Sequence, residues 1–404
     1  MKYLDLGKNA QEFLHHFCTV IPTRRLGSEG NRQAAAIFDS WMAERGFQVE
    51  KQEFDCQDWE GIGASLCIEG AGFAIIPSPH SLCCQVTALL AAATTVEELE
   101  AIDAAGKLLL LRGEIAASQL MPTNYPFYFP DEHRRIFELL ELKKPAAILT
   151  ATGRNPELVG GMYPFPMIED GNFNIPSVYL TEEEGLRMAD LVGKSASLES
   201  SCRRIPSHGW NSVAHLHPDI QPRVVLTAHM DAKPGSPGAL DNAAGIITLM
   251  LLGAILQDHP IRLGIDIVSL NGEDHYQARG EVVYLEKNAA RMEQISLAIN
   301  LDGLGGRGMD TAFSFYGCPD DLMALGRKVL SAQPGMVEGE QWYQSDHMMF
   351  FQQGRPAMAF TSRDLGSLMA AITHTPQDSP DKVDPDRLVM AARALHVFLC
   401  ALAG

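Results

Sequence analysis

The chain has 404 residues, of which 46% are hydrophobic and 20% charged, and a formal net charge of -18. So acidic a balance lacks the basic footprint of non-specific nucleic-acid binding and offers no attraction to an anionic membrane surface. The length exceeds what one hydrophobic core usually serves, so two to three domains, or one domain carrying a large insertion, are expected.

No segment approaches the roughly eighteen consecutive apolar residues of a membrane span. The N-terminus, MKYLDLGKNAQEFLHHF, has acidic and polar residues where a signal peptide needs an apolar run, which predicts a cytoplasmic protein. The eight cysteines, Cys18, Cys56, Cys67, Cys83, Cys84, Cys202, Cys318 and Cys400, are scattered without C-x-x-C spacing, so a zinc-thiolate site is not expected. In a reducing compartment they are small buried hydrophobes.

Ala10 to Ile21 reads as a helix, and a second is expected from Glu29 to Arg45. Ser28 can cap it, Ala34, Ile37, Phe38, Trp41 and Met42 form its apolar face, and Gly46 closes it. Phe47 to Phe54 alternates as a strand. Between Gly61 and Val192 short apolar runs (Ala64 to Ile68, Leu108 to Leu111, Ala146 to Thr150, Ser177 to Leu180) alternate with short helices. Two of these helices carry capping boxes, Thr95 with Glu98 and Thr181 with Glu184. With the aromatic and proline-rich MPTNYPFYFPDEH in its middle and no compact ligand cluster, 61–192 reads as an inserted, smaller β-rich module in a discontinuous domain of 1–60 and 193–404. Substrate gating, dimerisation and plain structural cover are its open roles, which leaves room for a homo-oligomer.

From Asn211 on, strands at Asn211 to Leu216, Arg223 to Ala228, Ile261 to Leu270, Ile295 to Leu301 and Ala357 to Thr361 alternate with helices. The helices fall near Asn242 to Gln257, Gly280 to Ala290, Asp320 to Ala332 and Pro385 to Leu402. The fold class is α/β, a mainly parallel, mixed sheet covered by helices on both faces.

The polar residues of this half stand where apolar runs stop. VVLTAHMDAKPGSPGALDNAAG, from Val224 to Gly245, places His229, Asp231 and Asp241 between a strand exit and a helix entrance. Glu273 and Asp274 follow Leu270, and Asp302 follows Leu301. Gln341 to His347, with Trp342, Tyr343, Asp346 and His347, precedes another strand, and Ile372 to Asp378, with His374, follows one. Side chains at the carboxyl ends of neighbouring parallel strands converge on one crevice. Singly, each reads equally as a turn residue, a cap or a solvated loop. Two imidazoles and three carboxylates together are the nitrogen and oxygen donors that a pair of zinc ions uses.

With these motifs the chain resembles the M28 family of metallopeptidases, co-catalytic zinc aminopeptidases and their relatives, from Gly27-Ser28-Glu29-Gly30-Asn31 to Thr373-His374-Thr375-Pro376-Gln377-Asp378. The module lies where several members carry a protease-associated domain. The resemblance implies two zinc ions per chain, His229 and Asp302 on one, Asp274 and His374 on the other, and Asp241 bridging, followed by a cis peptide. It implies Glu273 as general acid/base, Asp231 behind His229, and, more weakly, Tyr343 as oxyanion donor. Asp346 and His347 are expected near the substrate pocket. Most members have two glutamates where this chain has Glu273-Asp274, so its second carboxylate is one methylene shorter.

The implied activity is removal of N-terminal residues from a peptide substrate by water activated between two metals. Carboxypeptidase action, served by Arg279, Arg307, Arg355 or Arg363 near strand ends, glutaminyl cyclisation, and a non-catalytic binding protein on the same fold are the alternatives.

Overall fold

The computed structural model describes residues 5–154 and 160–404; residues 1–4 of the N-terminal segment and 155–159 of the insertion lie outside the described residues. The chain divides into two compact units, one of Met1–Cys56, His208–Leu368 and Ile372–Gly404, the other of Gln57–Ser207 with Met369–Ala371. The changes at 56/57 and 207/208 differ from the 60/61 and 192/193 read from composition. They fall inside two long strands, Gln48–Ile68 and Ser195–Leu216, which run through both changes without a break.

In the first unit the sheet order is Met336–Glu338, Thr311–Tyr316, Ala357–Ser362, Ile295–Leu301, Arg223–His229, Gly264–Leu270 and the end of Ser195–Leu216. The strands from Ala357–Ser362 to Gly264–Leu270 are parallel neighbours. Thr311–Tyr316 runs antiparallel to Ala357–Ser362, as does the 212–216 stretch to Gly264–Leu270, which makes the sheet mixed. Every residue of Arg223–His229 and of Gly264–Leu270 is buried, so these strands are covered on both faces. Thr311–Tyr316 and Met336–Glu338 carry no strand expectation above; both are short, and their pairing comes from neighbours distant in sequence.

Helix Glu29–Ala43 starts as expected, with Ser28 accepting the Asn31 amide. Helix Ala244–Asp258 is apolar all round, and every residue from Ala244 to Leu256 is buried. Among the described residues Ala239–Asp258 is the one helical run long and apolar enough to cross a membrane, and it is buried inside the protein core. Around it Phe38, Met42, Leu226, Ile267, Ile299, Leu395 and Phe398 complete the main core.

In the second unit Leu108–Leu111, Ala147–Thr152 and Ser177–Thr181 are parallel neighbours, and Cys84–Ala93 pairs with both Leu108–Leu111 and Ser195–Leu216. The run of four leucines serves two cores: Leu109 and Leu111 join Phe137 and Leu140, whereas Leu108 and Leu110 join Leu149 and Val178. The capping boxes form by halves. Thr95 Oγ1 accepts the Glu98 amide, but the Glu98 carboxylate takes Thr94, not Thr95, and the Glu184 carboxylate turns to Arg187 while its amide donates to Thr181. A neighbouring hydroxyl and a cation outcompete the return bond.

Candidate metal centre

Three adjacent strands end together. His229 is the last residue of Arg223–His229 and is paired in register with Leu270, the last of Gly264–Leu270, while Asp302 directly follows Ile295–Leu301. Asp274 follows four residues beyond its strand. His374 arrives by a less direct route than expected: helix Leu365–Ala371 separates it from strand Ala357–Ser362, and its backbone is left-handed, with φ 62°. Likewise helix His347–Gln352, rather than a strand, follows Asp346.

Asp241 stands at the centre. Its Oδ1 lies 3.1 Å from His229 Nε2 and its Oδ2 3.0 Å from His374 Nε2. Asp302 Oδ1 approaches His229 Nε2 at 3.6 Å, and Asp274 Oδ1 approaches His374 Nε2 at 3.2 Å. The donors thus fall into two groups that share Asp241. The peptide after Asp241 is cis.

These contacts are ion-pair distances without full hydrogen bonding. His229 Nε2 and Asp274 Oδ2 are buried polar atoms with no hydrogen-bond partner, an arrangement that is costly unless each faces a bound cation. Ligand atoms of His229, Asp241 and Asp274 lie within 4.8 Å of one another. Buried imidazole and carboxylate donors of this kind fit a divalent metal of the zinc class. Burial works against a charged His229, but Asp231, Asp241 and Asp302 hold its pKa well above the ordinary value. Asp274 and Asp241 do the same for His374 against the same burial.

Around the ligands the neighbours have clear tasks. His229 Nδ1 faces the main-chain oxygen of Asp231 at 3.2 Å, whereas the Asp231 carboxylate is 3.7 Å away. That carboxylate takes the amides of Gly272 at 2.7 Å and Asp274 at 3.0 Å. Asp231 therefore orients His229 mainly through its backbone, and its side chain ties the Glu273-Asp274 loop to the His229 strand. Glu273 is partly buried, and burial, reinforced by Asp274, Asp302 and Asp241, raises its pKa well above the usual carboxylate range.

The loop before helix His347–Gln352 is split. Asp346 is buried, and burial together with Glu281 and Glu273 lifts its pKa well above the ordinary value. His347 is buried against Tyr316 and Trp342, with Nε2 2.8 Å from the Trp342 carbonyl; burial pushes its pKa down to about 4, which leaves a neutral ring supporting that loop. Tyr343 is 60% exposed and its hydroxyl donates to Gln341, so among the described contacts it is not drawn to the ligands.

Three groups carry no role in the sequence reading. Asp378 accepts the amides of Leu240 at 2.7 Å and Asp241 at 3.0 Å, and so fixes the backbone of the central ligand. Its motif was visible; the contact was not. Asn242 donates to Leu301 O and caps Gly245, fastening the same turn to the Asp302 strand. Glu281, beside Asp346, is buried among other acids, and nothing in its local sequence marks it.

Residues 211–399 match the family model described as Peptidase family M28. Aminopeptidase YwaD of Bacillus subtilis (strain 168) is 23% identical over 245 residues, 56% of this chain and 51% of that protein, so the chain aligns with about half the length of this relative. An aminopeptidase from Aneurinibacillus sp. strain AM-1 superposes with a TM-score of 0.75 at 19% identity, covering 98% of this chain and 93% of that one. BSAP, a zinc aminopeptidase from Bacillus subtilis, superposes with a TM-score of 0.74 at 19% identity, covering 97% and 94%. At such identities the structural likeness establishes the fold, a mixed α/β sheet with helices.

Proposed function

We propose that the chain is a metallopeptidase of family M28, on the match over residues 211–399, and within that family a zinc aminopeptidase with two ions per chain. The observation that carries this reading is Asp241, whose two oxygens face different imidazoles while His229 Nε2 has no hydrogen-bond partner. His229, Asp302 and Asp241 would hold one ion, and His374, Asp274 and Asp241 the other. Zinc so bound supplies Lewis acidity, polarising the scissile carbonyl and acidifying water.

The chain's own residues do the rest. Glu273, with its raised proton affinity, accepts the proton of the attacking water and returns it to the leaving amine. Asp231 keeps His229 in one tautomer and holds the Glu273 loop in place. Asp378 fixes the main chain of Asp241. The shorter Asp274 still reaches His374, because its backbone amide is anchored by Asp231.

An amino rather than a carboxyl terminus is favoured by charge. Glu273, Glu281 and Asp346, the further titratable groups near the candidate ligands, are hydrogen-bonding carboxyls that can accept from an α-ammonium and offer no cation to a terminal carboxylate. Two of the four arginines considered for carboxylate capture bond main-chain oxygens elsewhere: Arg307 those of Asp381 and Val383, and Arg355 that of Glu293.

The test is metal content together with hydrolysis of free, N-blocked and C-terminally amidated peptides, with and without a chelator. Two zinc ions and chelator-sensitive cleavage of only the unblocked peptides are expected. Cleavage of N-blocked peptides from the carboxyl end would overturn the aminopeptidase assignment, and release of pyroglutamyl products alone would turn it to cyclisation.

A further inference from the structure

The segment Arg24 to Asn31 precedes the part of the chain matched by the family model, yet it reaches both loops that carry ligands. Arg24 is 2% exposed and has no carboxylate within ion-pair distance among the described residues. Its guanidinium donates instead to main-chain oxygens: Nε to Met230 at 3.1 Å, Nη1 to Phe17 at 2.8 Å and Pro237 at 2.9 Å, and Nη2 to Gly238 at 2.8 Å. Met230 follows His229, and Pro237-Gly238 lead into Asp241, so one side chain closes both ends of the loop between two ligands. The fit is tight. Gly238 has φ +61°, and a Cβ there would come within 2.5 Å of Asp241 O and 2.8 Å of Arg24 Nη2.

The second loop is closed in the same way. Asn31 Nδ2 donates to Arg24 O at 2.9 Å and to Asn271 Oδ1 at 2.8 Å, and Asn271 Nδ2 returns a bond to Asn31 Oδ1 at 2.9 Å. Asn211 then takes the Asn271 amide at 3.1 Å and donates to Gly280 O at 2.7 Å, which joins the two ends of the loop holding Glu273 and Asp274. Asn31 and Asn211 are fully buried and Asn271 nearly so.

A buried cation without a paired anion is expensive, and a buried amide pair is specified only when every polar atom is satisfied. Four carbonyls satisfy the fork of Arg24, a planar geometry that lysine does not reproduce. Its charge also acts on the carboxylate of Asp378, which bonds the Asp241 amide.

We propose that Arg24 and Asn31 are positioning residues for the metal centre, a clamp that sets the distance between the His229–Asp241 loop and the Glu273-Asp274 loop. The inference rests on the reading of this site as a zinc centre. It makes metal affinity depend on residues that touch no ligand side chain.

The experiment compares wild type, Arg24→Lys, Asn31→Ser and the control Thr248→Ala, whose hydroxyl bonds only Ala244 O within its own helix. For each full-length metal-free protein, the thermal midpoint and the zinc dissociation constant, by competition with a chromophoric chelator, are measured. Arg24→Lys and Asn31→Ser should fold and bind zinc about 10- to 100-fold more weakly, whereas Thr248→Ala should lower the midpoint and keep wild-type affinity. Wild-type affinity in either folded clamp variant overturns the proposal. Failure of both to fold without metal also overturns it, since the clamp would then form the fold rather than position the site. If wild type itself binds no zinc, the metal reading fails instead, and the two failures are distinct.

Discussion

Asp231 and Asp274 are joined through the backbone of one and the side chain of the other: the Asp231 carboxylate takes the Asp274 amide at 3.0 Å. The carboxylate two residues after His229 thus anchors the neighbouring strand's loop as well as backing the imidazole. Asp231→Asn should disturb both loops, because an amide nitrogen would face one of two N–H donors. We predict zinc affinity and kcat/KM lowered about 10- to 100-fold. A chelator competition and steady-state kinetics check this; wild-type values in both would reduce Asp231 to a bystander.

Glu273 is the acid closest in sequence to a ligand that is not itself needed to hold metal. Glu273→Gln should retain the wild-type zinc content while kcat falls about 10²- to 10⁴-fold, the range of a lost general acid/base. Atomic absorption on the purified variant and initial rates at saturating peptide decide it. Near-wild-type turnover would remove Glu273 from the chemistry.

Asp378 bonds the backbone amides of Leu240 and Asp241 rather than any ligand side chain. Asp378→Ala leaves two buried amides unsatisfied, a loss of about 1–3 kcal/mol each. A lower thermal midpoint in the metal-free protein is expected, with weaker zinc binding on top. Equal midpoints for variant and wild type would contradict it.

The convergence of the candidate donors was readable where a donor stands just beyond an apolar run, since the ends of neighbouring parallel strands converge, whereas Asp241 and His374 lie beyond a loop and a helix and entered through the family resemblance. His229, Asp302 and Asp274 needed only that rule. What escaped are residues whose partners are far away in the chain: Arg24 and Met230 are 206 positions apart, and Asn31 and Asn271 are 240 apart. A buried arginine that bonds carbonyls and the Cys18 sulfur has no local signature, and neither has Glu281, whose surroundings are assembled from separate loops. The long strands Gln48–Ile68 and Ser195–Leu216 escaped for the opposite reason. Each contains a stretch without a buried residue, 59–65 in the first and 203–208 in the second, so the sequence shows separate short runs and their continuity comes from pairing.

Glu281 gives a pH signature in the metal-free protein. Burial, with Asp231 adding to it, raises its pKa from 4.5 to about 7. The folded-state value lies above the unfolded one, so proton uptake favours the fold. The associated stability is complete below the unfolded pKa and is lost as pH rises towards 7. The shift corresponds to something on the order of 3 kcal/mol between pH 5 and pH 8. Glu281→Gln keeps a hydrogen-bonding group beside Asp346 and carries no charge. Its thermal midpoint should therefore match wild type near pH 5 and exceed it at pH 8. A midpoint difference that does not widen between those two pH values would show that Glu281 is ionised in the fold and has found a cation to face.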